Sequence, residues 1–134
     1  MEQEQVDHPA HYGRYSVEVI EITRKMTFDQ GNLIKYLLRS PFKGNYRVDL
    51  EKAAWYWDDM KRNKMTLHFT PRAATLLTQV KNDLVRQSGK DPRCGEIAGI
   101  LGDILTGHHH KARLDISATC IREWNRENEE LNHG

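Results

Sequence analysis

Apolar positions along this chain recur every three or four residues, and no segment shows sustained strand alternation. The clearest case runs from Gly31 to Arg39. At about 100° per residue, Leu33, Ile34, Leu37 and Leu38 share one face. Asn32, Lys35, Tyr36 and Arg39 form a narrow polar stripe on the other. Thr27 stands ahead of this helix, with Gln30 three residues on, as in a capping box. The helix is expected to end near Ser40, because Pro41 disfavours helical backbone in the residue before it.

The same reasoning places the remaining elements. Ser16 is a plausible N-cap for a helix from Val17 to about Lys25. A helix from about Val48 to Asn63 follows the loop that holds Lys43 and Gly44. Thr70-Pro71 opens another, running to about Gln87, with Ala73, Leu76, Leu77, Val80 and Leu84 in one stripe. After the break at Ser88 to Pro92, a short apolar helix spans about Arg93 to Leu105, with Glu96 and Asp103 on its solvent side. A last helix is expected from about Ala112 to Leu131, with Leu114, Ala118, Ile121 and Trp124 on one side. The triplet His108-His109-His110 reads as a surface loop between them. The fold class is therefore all-α: a compact bundle of five to six helices with no significant sheet.

Composition narrows the function classes. The chain has 134 residues, 38% of them apolar, and a formal net charge of +1. That length suits one compact unit, read as a helical domain over residues 1–64 with a helical extension over 65–134 packed on it. The balanced charge argues against general nucleic-acid binding but leaves room for a local phosphate site. Cys94 and Cys120 make no disulfide framework and are expected as reduced core thiols. No apolar run reaches membrane-spanning length, and residues 1–8 carry no signal-peptide core. The expected setting is the cytoplasm, without a membrane partner.

Five segments in order carry a resemblance: His8-Pro9-Ala10-His11-Tyr12, Val17 to Glu21, Gly31 to Arg39, Lys43-Gly44, and Asp49 to Tyr56. Over about residues 6–60 the chain resembles the SaV-like family of small phage-encoded proteins. That family includes a nucleotide kinase which phosphorylates deoxynucleoside monophosphates without a P-loop. The resemblance implies a phage nucleotide-binding protein acting as a nucleotide kinase-like phosphotransferase in the host cell cytoplasm. It does not reach the second half of the chain.

Four groups of residues are candidates for that chemistry. Lys35, Arg39, Lys43 and Lys52, with Arg47 nearby, would hold phosphates. Arg offers a bidentate fork and Lys a mobile point charge. The plain alternative is a solvated basic face. The resemblance favours the site reading, because Asn32, Lys35, Arg39 and Lys52 fall at motif positions; Asn32 would contact sugar or base, with Tyr36 beside them. Glu18 and Glu21 are three apart and could hold Mg²⁺ alongside substrate phosphates, or Glu18 could act as a base. Otherwise Glu18 favours a helix dipole, and Glu21 pairs with Lys25. Glu18, Lys35 and Arg39 are the candidate catalytic residues. His11 and Tyr12 would form an aromatic lid near the nucleotide, or merely close the bundle.

The fourth group is Trp55, Tyr56 and Trp57. Consecutive helical residues point to different sides. Trp57 is expected inward with Ala53 and Met60, and Trp55 outward, as an interface residue of a homo-oligomer. Two rival functions remain: a non-catalytic binder that sequesters a host signalling nucleotide, and an inhibitor of a host protein.

Overall fold

The computed structural model describes residues 12–42 and 44–133. Among these, six α-helices follow a single 3₁₀ turn at Tyr12–Arg14, and no strand occurs. They are α1 (Val19–Thr23), α2 (Phe28–Arg39), α3 (Tyr46–Arg62), α4 (Pro71–Gln87), α5 (Pro92–Leu105) and α6 (His109–His133).

α2 and α3 form an antiparallel pair, and α4 and α5 form a second. α6 closes the bundle by packing on both α3 and α5, while α1 bridges α2 and α4. The second half of the chain is thus packed directly on the first. The core is one cluster. Leu33, Ile34, Leu37 and Leu38 of α2 are fully buried, as their spacing predicts. They meet Leu50, Ala53, Trp57 and Met60 of α3, Leu77, Val80 and Leu84 of α4, and Ile97, Leu101 and Ile104 of α5. α5 buries Ile97, Ala98, Ile100, Leu101 and Ile104 because it is flanked by helices on both sides.

Several polar contacts lock the ends of these helices. Thr27 and Thr70 cap α2 and α4, accepting from the backbone N–H of Gln30 and Ala73. Gln30 does not complete a capping box. Its amide instead exchanges two hydrogen bonds with the backbone of His68, donating at 2.8 Å and accepting at 3.0 Å. The residue is buried, so its amide must find partners, and the extended segment before α4 supplies both.

Ser16 is not a helix cap. Its N–H and hydroxyl both donate to the buried carboxylate of Asp83 in α4, at 2.7 and 2.8 Å. α1 consequently starts only at Val19 and is five residues long, with Glu18 in the N-cap position but making no side-chain cap. Tyr15 donates to the Leu38 carbonyl at 2.5 Å, and Gln87 donates to that of Arg14 at 2.8 Å.

α6 departs most from expectation. It begins at His109, so two of the three histidines lie in its first turn rather than in a loop. Its buried side consists of Ala112, Ile116, Thr119 and Glu123. Leu114, Ala118, Ile121 and Trp124 do share one side of the helix, and that side faces solvent. Ion pairs that reach across the bundle accompany this register. Arg113 donates to both oxygens of Asp58 on α3, at 3.0 and 2.9 Å. Arg93 and Arg126 neutralise Glu123. Glu96 and Asp103 turn from solvent towards α6, where they pair with Arg122 and Lys111.

Candidate functional site

α2 and α3 present one continuous outer face, and its centre is Tyr36. The α2 stripe that escapes the core carries Asn32, Lys35, Tyr36 and Arg39, none of them buried. The antiparallel partner contributes Lys52, Trp55 and Tyr56. Three cations surround the Tyr36 ring: Lys35 Nζ at 4.5 Å from its centroid, Lys52 Nζ at 5.2 Å and the Arg39 guanidinium at 6.0 Å. The ring's negative face attracts each of them. Sequence distance hides this convergence, since Lys52 reaches Tyr36 only after the chain has reversed at the Pro41 turn.

The aromatic rings form a connected surface. Tyr36 and Tyr56 lie nearly parallel, with centroids 6.0 Å apart and planes at 10°. Phe28 and Trp55 each meet Tyr56 edge-on, at 5.9 and 5.1 Å. Phe28 is 74% exposed and Trp55 56%. Tyr36, Lys52, Trp55 and Tyr56 line an open concavity of about 300 Å³. Arg62 covers the far side of Trp55 at 5.6 Å. Flat apolar rings beside mobile ammonium groups can stack on a planar heterocycle and neutralise an attached phosphate.

Phe28 was not among the residues singled out in the sequence. The signal was present, because Phe28 falls on the same helical stripe as Asn32, Lys35 and Arg39 and so could not belong to the core face.

The other candidates are placed as follows. Trp55 points outward and Trp57 inward, as expected. Arg39 is partly committed, with its Nε 3.5 Å from Oδ2 of buried Asp49. The Asn32 amide donates to the Phe28 carbonyl at 2.9 Å, within its own helix. Arg47 pairs with Glu51 and with Glu127 of α6. His8, His11 and Lys43 lie outside the described residues, and Tyr12 is described only as the start of the 3₁₀ turn.

Glu18 and Glu21 are not lining residues of the Tyr36 concavity. Glu21 lines a different one, with Arg24, Lys25 and Arg72. The local field there suits an anion better than a divalent cation. No cluster of three or more metal-ligating side chains occurs among the described residues. No helix among them is long and apolar enough to cross a membrane.

Burial and charge tune several groups away from this face. The Arg113 hydrogen bond holds the Asp58 carboxyl below its usual range. Burial pushes the Tyr15 phenol well above the normal tyrosine range. It does the same to Tyr46, whose hydroxyl also donates to Glu96 at 3.0 Å. Burial also raises the thiols of Cys94, which is a core residue as expected, and of Cys120, which is only half-buried.

No curated protein and no solved structure matches the chain. Residues 6–58, which run through α1 and α2 to the Tyr36-facing turns of α3, match a family model described as a protein of unknown function, DUF3310.

Proposed function

We propose that the chain is a nucleotide-binding protein, with its ligand on the α2–α3 face. The observation that supports this most is the convergence of Lys35, Lys52 and Arg39 on the ring of Tyr36, beside the exposed rings of Trp55, Tyr56 and Phe28. The base would stack on the Trp55–Tyr56 side of the concavity. Lys35 and Lys52 would hold phosphate oxygens, and Arg39 would offer the part of its guanidinium turned away from Asp49.

The SaV-like resemblance adds a reaction to this reading. A phage nucleotide kinase would transfer a phosphoryl group to a nucleoside monophosphate, with charge neutralisation by the same cations doing much of the work. Mg²⁺ would then enter with the phosphates of the donor.

A specific observation favours the quieter alternative, a nucleotide binder without turnover. The concavity is open, and no carboxylate lines it. Phosphoryl transfer gains from a closed site that excludes water. A second copy of the chain seated against Trp55 would supply that enclosure.

A thermal-shift panel separates these readings. Nucleoside mono-, di- and triphosphates and cyclic dinucleotides are each added with and without Mg²⁺. A ligand that binds only the folded chain raises Tm, by an amount that grows with the logarithm of its concentration once that exceeds Kd. A shift with a monophosphate, followed by formation of a diphosphate when a triphosphate is added, supports the kinase. A shift without product supports the binder. No shift with any nucleotide rejects the proposal.

A further inference from the structure

Eight of the eleven arginines form ion pairs: Arg39, Arg47, Arg62, Arg86, Arg93, Arg113, Arg122 and Arg126. Arg14 lies over the Phe42 ring. The remaining two, Arg24 and Arg72, have no ion pair or ring contact among the described residues. Both line one concavity of about 290 Å³, together with Lys25.

We infer that this concavity, between the end of α1 and the start of α4, binds the phosphate group of a phosphate monoester. It is separate from the Tyr36 concavity, with which it shares no lining residue. The inference therefore does not rest on the nucleotide reading.

The charges set the ligand class. Arg24, Lys25 and Arg72 bring three positive charges, and Glu21 is the single carboxylate in the lining. A phosphate monoester is nearly a dianion at neutral pH, and it would neutralise the concavity. A monovalent anion would leave a surplus of positive charge, and a triphosphate would exceed it.

The position of Arg72 is informative in its own right. It stands in the first turn of α4, directly after Pro71, and no acidic residue shares that turn. The positive end of a helix dipole favours acids and disfavours a cation there. Arg72 is therefore a local liability to its helix, of the kind that functional sites retain. Two further cations, Arg24 and Lys25, line the same concavity against the single carboxylate of Glu21.

Ile22, Ala73 and Leu76 form an apolar floor, and all three are buried. Glu21 gives an ester a contact beyond its phosphate group. Its carboxylate is the acceptor in the lining for a hydroxyl on an ester's carbon skeleton, a contact made in addition to those of the phosphate group. A hydroxylated phosphate ester is the expected ligand, with the phosphate on the arginines and a hydroxyl on Glu21.

The test is a titration of the full chain at constant ionic strength with inorganic phosphate, glycerol 3-phosphate and sodium chloride. Glycerol 3-phosphate should bind saturably and more tightly than phosphate, and chloride should give no shift. Arg24→Ala and Arg72→Ala should each weaken the ester by roughly tenfold or more, the loss of one charged hydrogen bond. Arg72→Ala should also raise the Tm of the ligand-free chain, because it removes a cation from a helix start. Glu21→Gln should narrow the preference for ester over phosphate. Equal affinity in wild type and both arginine variants would overturn the inference. So would a response to glycerol 3-phosphate no larger than that to chloride.

Discussion

Arg39 Nε lies 3.5 Å from Oδ2 of Asp49, a carboxylate whose side chain is 2% exposed, while Arg39 itself remains 41% exposed. The contact ties the end of α2 to the first turns of α3 and fixes the angle at which the two helices present Tyr36 and Lys52. It also gives Arg39 two roles, because one edge of the guanidinium steadies a buried charge while the rest faces the proposed ligand.

Arg39→Ala should therefore cost stability as well as nucleotide affinity. Truncation removes one partner of a buried charge, a loss of about 1–3 kcal/mol for a group this exposed. Arg39→Lys should recover part of the stability but not the planar fork. Urea denaturation of the two variants checks this; an Arg39→Ala midpoint equal to wild type would show that Asp49 does not depend on it.

Lys35→Ala and Lys52→Ala should behave differently. Both lysines are exposed and make no ion pair among the described residues, so their loss should leave Tm within a degree or two. Each should weaken nucleotide binding by roughly tenfold to a hundredfold, the equivalent of one charged hydrogen bond.

How much of this was legible in the sequence differs from helix to helix. α2 was readable because its apolar period and its Thr27 cap agree. α6 was not. Three of its large apolar residues, Leu114, Ile121 and Trp124, are exposed, while Thr119 and Glu123 are buried beside Ile116. Glu123 can be buried only because Arg93, some thirty residues earlier, and Arg126 neutralise it. That pairing is invisible to any local period. The α2 half of the candidate site followed from helical geometry, but Lys52 over Tyr36 depended on the α2–α3 docking angle. Arg24 and Arg72 lie too far apart in sequence to suggest a common concavity.

The register of α6 can be tested directly. Ile116→Ala should destabilise the chain by about 2–5 kcal/mol through a core cavity. Ile121→Ser, on the exposed side, should cost little. A large loss for Ile121→Ser with little for Ile116→Ala would mean that the helix is rotated from the position described.

Stability should fall at both extremes of pH. The folded chain holds Asp58 below its usual pKa through Arg113. The Asp58 contribution is present above the unfolded carboxylate pKa of about 4 and is lost as pH falls through the lower folded value. Asp58→Asn should flatten this acid limb. Tyr15 and Tyr46 are shifted upwards by burial. Their contribution is complete below the unfolded tyrosine pKa of about 10 and declines as pH rises beyond it. Tm measured from pH 3 to 11 checks both limbs, and an acid limb unchanged by Asp58→Asn would dismiss the first.

The most direct measurement for the central claim is a tryptophan-fluorescence titration with a nucleoside monophosphate. Trp55 lines the proposed concavity, whereas Trp57 is buried. Wild type should show saturable quenching. Trp55→Phe should lose most of that signal, and Lys52→Ala should shift the midpoint by about tenfold with Tm unchanged. Quenching that persists in Trp55→Phe and titrates identically in Lys52→Ala would place the nucleotide elsewhere and contradict the account.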